Sequence, residues 1–250
     1  VSYIAPPSSD IHSVEARPSY MVKVAKANIV LKVGLELDMW MDPIIDGSRN
    51  DQVIIVDCSK YVHKLEVPSF KADARYGDLH RFGNPHYWLT PQNAKPITDA
   101  IVEALKIADA GHSNQFLSNQ EKLVNDISGL VERLQPKIAK LKGTQIINYH
   151  NSWPYFNEFA GTVSASFIEP FPGVAPSPSQ IKKVIDLINS SKIKVIAMEP
   201  YFDKRVPEKI AKETGAKVVA LYPSIGGRSK DEEYGQWLEA NIDSLLEALQ

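Results

Sequence analysis

The chain has 250 residues, of which 44% are hydrophobic, so it can bury the cores of two lobes of ordinary domain size. Its 28 Lys and Arg residues against 30 Asp and Glu give a formal charge of -2, which leaves no basic surplus for nucleic acid or anionic lipid and favours a small ligand. Cys58 is the single cysteine. A disulfide within the chain and a thiolate zinc cluster are therefore excluded, and a transition-metal site would need His and carboxylate ligands.

Strand and helix patterns alternate along most of the chain, starting with a strand pattern at Val1–Ile4. Further runs rich in β-branched residues predict strands at Asn28–Val33, Val53–Val56, Gln145–Tyr149, Ser164–Ile168, Lys194–Met198 and Lys217–Leu221. Helical periodicity predicts helices at Pro18–Ala27, Leu35–Ile45, Pro91–Ala110, Ser179–Ser190, Arg205–Thr214 and Glu232–Leu249. This alternation predicts an α/β fold with mainly parallel sheets covered by helices on both faces.

One segment, Asn114–Lys142, has no strand pattern, and its apolar residues recur at the spacing of a long amphipathic helix. We expect Pro136 to kink or locally break this helix and Gly143 to mark its end. A helix of this length between two βα arrays is best explained as a connection between lobes. The predicted organisation is an N-terminal α/β lobe at 1–113, a linking helix at 114–143 and a C-terminal α/β lobe at 144–250.

Three histidines lie in short distinctive motifs: His12 in Asp10–Glu15, His86 in Asn84–Pro91 and His150 in Asn148–Phe156. Imidazoles this far apart in sequence can share a metal only if the fold returns them to a common cleft, as a two-lobed α/β protein does at its strand ends. Three neutral imidazoles suit Zn²⁺ better than Mn²⁺, although copper or nickel would also bind them. The pattern predicts a metal site at His12, His86 and His150.

Each of these histidines also has an ordinary structural interpretation. His12 could be a surface loop residue, and His86 could pack in an aromatic cluster with Trp88. His150 follows a predicted strand and so falls at the carboxyl edge of a sheet, where ligands of α/β proteins collect.

Other polar residues leave alternatives open as well. Glu199 is either a buried acid that orients a ligand or a charge at a helix N-terminus. His63, His80 and His112 are expected at the surface, although His80 could capture metal transiently.

These motifs resemble those of metal-binding receptors that serve ABC-type zinc and manganese importers. Asp10–Glu15 resembles the family motif "DPHTYEP", Asn84–Ala94 resembles "DPHIWLSPENA", and Tyr149–Phe156 resembles "FHDAWGYF". Further family stretches are matched at Lys26–Leu31, Gly34–Trp40, Ile196–Pro200 and Ile210–Val219. The resemblance covers nearly the whole chain, with the motifs in the family's order.

The resemblance implies two α/β lobes joined by one long rigid helix, with metal held in the inter-lobe cleft by His12, His86 and His150. In this family a His at the position of His150 accompanies zinc, and a Glu there accompanies manganese. The implied function is that of a solute-binding protein for zinc transport, located in the periplasm or at the extracytoplasmic cell surface. It would deliver Zn²⁺, or less readily Mn²⁺, to a membrane permease. We expect a monomer that binds no nucleic acid and is not an enzyme.

The chain departs from the family pattern in two places. The usual fourth ligand is an Asp, but the matching residue is Tyr222, so we expect water or a carboxylate from Asp231, Glu232 or Glu233 to complete the site. The family's opening strand and helix normally precede the position of Val1, so the N-terminal lobe is expected to lack them.

Two other functions remain open at this stage. Three histidines and a water also form the metal shell of zinc hydrolases and hydratases, for which Glu199 or Asp231 could act as the base. The same fold could also serve as a surface adhesin in which zinc is structural.

Overall fold

The computed structural model describes residues 1–69, 80–169 and 174–250. The chain forms an α/β fold with parallel sheets, as predicted. It divides into two compact units, one comprising Val1–Ser69 and His80–Gly129 and the other comprising the described part of Leu130–Gln250. In the described ranges, no helix is both long and apolar enough to cross a membrane.

The first unit contains a two-stranded parallel sheet and three helices that begin and end within it. Strands β1 (Ile29–Lys32) and β2 (Ile54–Asp57) pair with Ile29 opposite Ile54. The helices are α1 (Pro18–Ala25), α2 (Asp42–Ser48) and α3 (Ala94–Ala108). Pro18 occupies the first turn of α1, where a missing N–H costs nothing. Val24, Val30, Met41 and Ile44 are the buried residues that join α1, β1 and α2 into one core.

The second unit is built on a four-stranded parallel sheet in the order β4-β3-β5-β6. Its strands are β3 (Gln145–Asn148), β4 (Val163–Phe167), β5 (Val195–Met198) and β6 (Lys217–Ala220). Its helices are α5 (Pro154–Ala160), α6 (Pro178–Ser191), α7 (Arg205–Thr214) and α8 (Tyr234–Leu249).

The sheet of the second unit is covered on both faces. Ile147 and Ile196 share a buried cluster with Val184 of α6 and Ile210 of α7. Successive side chains of a strand point to opposite faces. The neighbouring Val195, which is completely buried, therefore points to the other face. Helix α8 contacts both β5 and β6.

Helix α4 (Ser113–Leu141) is the long helix that the sequence predicts. It contributes residues to both units, since the first ends at Gly129 and the second begins at Leu130. Of the kink or local break predicted at Pro136, the break was wrong, because the helix is continuous through that residue. The helix exit at Gly143 is confirmed by its left-handed backbone, with φ of 77°.

Two other predicted elements differ from the structure. Val1–Ile4 forms no strand. The helix predicted at Leu35–Ile45 is replaced by a turn, a short 3-10 helix at Met39–Met41 and α2 from Asp42. The cause is local, because Gly34, Leu35 and Glu36 all have positive φ, which a right-handed helix does not permit.

Candidate metal site

His12 lies in an N-terminal loop whose position is fixed by two sets of hydrogen bonds. The Asp10 carboxylate accepts a bond from the His12 backbone N–H at 3.0 Å, and its Oδ1 lies 2.7 Å from Nδ1 of the same histidine. The Trp40 indole donates to the carbonyl of Ile11 at 2.9 Å. Backbone and ring of His12 are thus both held, although the residue belongs to neither a helix nor a strand.

His86 is buried immediately before the 3-10 turn Tyr87–Leu89. The side chain of Asn84 accepts a hydrogen bond from the His86 backbone N–H at 3.0 Å. The next residue, Tyr87, donates its hydroxyl to the carbonyl of Val33 at the end of β1. These contacts tie the His86 turn to the carboxyl end of a strand, the usual place for ligand-binding residues in α/β proteins.

The first unit brings His12 and His86 together, with their ring centroids 5.1 Å apart. His80 is their neighbour, at 5.8 Å from His12 between centroids, so it is not an isolated surface residue. The expected surface positions of His63 and His112 are confirmed, since both are exposed. The ring of His86 also lies 5.2 Å from that of Trp88, so His86 has the aromatic neighbour that the sequence suggested.

An ion pair holds the chain next to His80. Arg81 donates to Glu36 from its backbone N–H at 3.1 Å and from Nε at 2.9 Å. The hydrogen bond from Arg81 lowers the pKa of Glu36. Glu36 belongs to the turn of positive φ after β1, so this pair connects two loops of the first unit.

His150 lies in the second unit, two residues after the end of β3. The strand order places β3 between β4 and β5, and the chain leaves β3 in one direction for β4 and returns past it for β5. This reversal is a topological switch point, where open parallel sheets bind ligands beyond the carboxyl ends of the strands. The predicted carboxyl-edge position of His150 is therefore confirmed. Its Nδ1 lies 3.1 Å from Oε2 of Glu169, and both side chains are buried.

Glu199 follows β5 and is completely buried. Its Oε1 accepts a hydrogen bond from the indole of Trp153 at 2.9 Å. Burial raises the pKa of Glu199 to about 7, while the charge of nearby His150 acts in the opposite direction. Of the two interpretations, the helix-terminus charge was wrong, because α7 begins only at Arg205. Glu199 is a buried acid that anchors the Trp153 side chain.

The segment after β6 contains Tyr222 and the carboxylates that the sequence offered as a fourth metal ligand. The backbone of Tyr222 is held at both ends, since its N–H donates to Asn241 and its carbonyl accepts from Trp237 and Asn241. Glu232 accepts a hydrogen bond from Arg228 Nε at 2.9 Å. Glu233 forms the capping box that begins α8. Glu232 and Glu233 thus have structural roles of their own.

Sequence reasoning missed Asp10 and Glu169, the carboxylates that contact Nδ1 of His12 and His150. Asp10 lies two residues before His12 in the same motif, so this spacing was the available signal. Glu169 follows the strand paired with β3. Neighbouring parallel strands end at the same sheet edge, so that position was the available signal.

Imidazoles whose second nitrogen meets a carboxylate are the usual donors for a borderline metal such as Zn²⁺. This set of donors therefore supports metal binding.

Comparisons with known proteins agree with metal binding. The family model described as zinc-uptake complex component A, periplasmic, matches residues 1–248. The iron-binding protein YfeA of Yersinia pestis is 24% identical over 220 residues, which are 87% of this chain and 68% of YfeA. The high-affinity zinc uptake system protein ZnuA of Brucella abortus is 26% identical over 66% of this chain and 49% of that protein.

A crystal structure of ZnuA has the same fold, with a TM-score of 0.85 and 23% identity over 100% of this chain and 90% of that one. The family model spans nearly the whole chain, and the family consists of receptors for metal uptake rather than enzymes. The chain therefore belongs to the ZnuA family of metal-binding receptors of ABC importers.

Proposed function

We propose that this protein is an extracytoplasmic receptor that binds one zinc ion through His12, His86 and His150 and delivers it to the permease of an ABC importer. The observation that carries the proposal is the placement of these histidines within their own units. His12 and His86 are neighbours in the first unit, and His150 is at the switch point of the second. The ion is the cargo, and the proposed organisation is two lobes, 1–113 and 144–250, connected by the helix at 114–143.

Zinc is the proposed cargo because the three proposed protein donors are imidazole nitrogens. Manganese sites use more carboxylate and carbonyl oxygen, whereas zinc accepts nitrogen donors in a four-coordinate shell. One relative is described as iron-binding and another as a zinc uptake protein, so family membership leaves the metal open; the proposed donor set supports zinc. Water or a carboxylate oxygen would complete the coordination. The receptor would act as a monomer.

The experiment is calorimetric titration of metal-free protein with zinc. Wild type should bind one equivalent, and His12→Ala, His86→Ala and His150→Ala should each lose the site, because two imidazoles are too few for a stable tetrahedral shell. His63→Ala and His112→Ala are matched controls, since both histidines are exposed, and they should bind as the wild type does. Unchanged affinity in His150→Ala would contradict the proposal.

The two alternative functions are a zinc hydrolase or hydratase and an adhesin. The hydrolase alternative is set aside, because the family consists of metal-uptake receptors. The adhesin alternative depends on fold alone, and fold does not determine function. A zinc-dependent complex with the permease, measured with the reconstituted importer, would distinguish delivery from adhesion.

A further inference from the structure

The segment that carries His150 is attached to the segment that follows β5. The Tyr149 N–H donates to the carbonyl of Ala197 at 2.8 Å, so the pairing of β3 with β5 continues past the end of β3. Further along the chain, the Trp153 indole donates to Glu199 at 2.9 Å. His150 lies between these two attachments, both of which are within the second unit. The chain around His150 is therefore held on both sides.

Phe202 ends a tight turn in this segment after β5. Its backbone N–H donates to the carbonyl of Glu199 at 3.2 Å, which closes a turn at 199–202 with Pro200 in the second position. Proline suits that position because its ring already fixes φ at about −65°. Phe202 is half-buried and packs against the apolar cluster that contains Ile147 and Ile196. Both the backbone turn and the core packing therefore fix its ring.

The Phe202 ring packs on two successive side chains, those of Tyr149 and His150. Its centroid lies 4.6 Å from that of Tyr149, with the ring planes 20° apart. The same centroid lies 5.9 Å from that of His150, with the planes 47° apart. Both distances fall in the range of interacting aromatic rings, about 4.5–7 Å. Phe202 therefore occupies the space on one side of the imidazole, and the His150 side chain cannot turn into that space.

We propose that Phe202 is a positioning residue, which restricts His150 to the side-chain rotamer that binds zinc. This inference rests on the proposed function. A histidine side chain has several staggered rotamers, and only some of them direct a ring nitrogen at a given point. The Phe202 ring excludes the rotamers that overlap it. The side chain of His150 is therefore ordered when the protein folds, and zinc binding does not bear that entropic cost.

The rotamer of His150 in the metal-free protein gives the first test. NMR couplings across χ1 and ring-current shifts should show a single rotamer in contact with Phe202 in the wild type. Phe202→Leu should average χ1 over several rotamers, because leucine keeps apolar volume but lacks the ring that fills this space. Phe202→Tyr should keep the single rotamer, because it keeps the ring. One unchanged His150 rotamer in Phe202→Leu would overturn the proposal, and this result does not depend on zinc.

Zinc affinity gives the second test. Contacts between aromatic rings are worth about 2- to 10-fold in an equilibrium constant, so Phe202→Leu should weaken zinc binding in calorimetry by about that factor. Phe202→Tyr should bind zinc as the wild type does. Ile185→Ala is the control for lost core packing, because Ile185 is half-buried against the same apolar cluster from α6. It should lower the free energy of unfolding and leave zinc affinity unchanged.

The outcomes separate this inference from the proposed function. If Phe202→Leu binds zinc as tightly as the wild type while His150→Ala loses the site, the positioning role is overturned and the receptor assignment stands. If His150→Ala also retains wild-type affinity, both are overturned. Should Phe202→Leu fail to fold, Phe202→Met takes its place in both tests, because an unbranched side chain fills irregular apolar space without supplying a ring.

Discussion

Replacing Glu199 by Gln should remove a loss of stability that the metal-free protein suffers as the pH rises. Glu199 is completely buried, and burial raises its pKa from the ordinary 4.5 to about 7. The folded protein therefore holds this proton more tightly than the unfolded chain does. As the pH rises from 4.5 to 7, the unfolded chain releases the proton first, and the folded state loses stability relative to it.

The size of the effect follows from the two pKa values. One pKa unit is worth about 1.4 kcal/mol, so ionising Glu199 should cost the folded state about 3 kcal/mol above pH 7 and almost nothing at acidic pH. Glutamine has no such proton, and its carbonyl oxygen can still accept the bond from Trp153. Burying the new amide N–H groups costs about 1–3 kcal/mol, but this penalty is independent of pH.

The assay is urea unfolding of both proteins with a chelator present, at about pH 5 and about pH 8. The free energy of unfolding of Glu199→Gln relative to wild type should be higher at the alkaline pH, by about 2–3 kcal/mol. Glu158→Gln is the control, because Glu158 is exposed, and its difference from wild type should not change with pH. Parallel pH profiles for Glu199→Gln and wild type would refute the reasoning.

Three other predictions address the loops and the site. Tyr222→Asp should tighten zinc binding in calorimetry by supplying a charged oxygen where the resemblance implies an acidic ligand, whereas Tyr222→Phe should change little. A large loss in the Phe variant would show that the phenol contributes. Gly34→Ala should destabilise the protein to urea more than Gly215→Ala does. Both residues have φ near +80°, but a Cβ at Gly34 would lie 2.2 Å from Asp57 Oδ1, while Gly215 has no neighbour within 4 Å. The conformation alone costs about 1 kcal/mol, and equal losses would contradict the steric argument. The zinc-loaded protein should not accelerate ester hydrolysis, peptide hydrolysis or carbon dioxide hydration beyond the rate with free zinc. A faster rate that His12→Ala abolishes would refute the receptor assignment.

Local periodicity was sufficient to predict most of the secondary structure. The strands of the second unit and α7 lie within a residue or two of their predicted positions, because their patterns and end signals are local. The long helix α4 was also predictable, since its apolar positions repeat over 29 residues. The helix predicted from Leu35 failed because apolar spacing does not report backbone handedness, and the three residues from Gly34 are left-handed.

The three histidine motifs identified the proposed ligands, since their residues are adjacent in sequence. Their environment depended on contacts between distant segments. The register of β3 with β4 brings Glu169 to His150, and the ion pair of Glu36 with Arg81 holds the chain beside His80. The sequence alone thus predicts which side chains bind metal. Only the tertiary structure brought Glu169 to His150, because a hydrogen bond between residues far apart in the chain is set by strand pairing and not by local pattern.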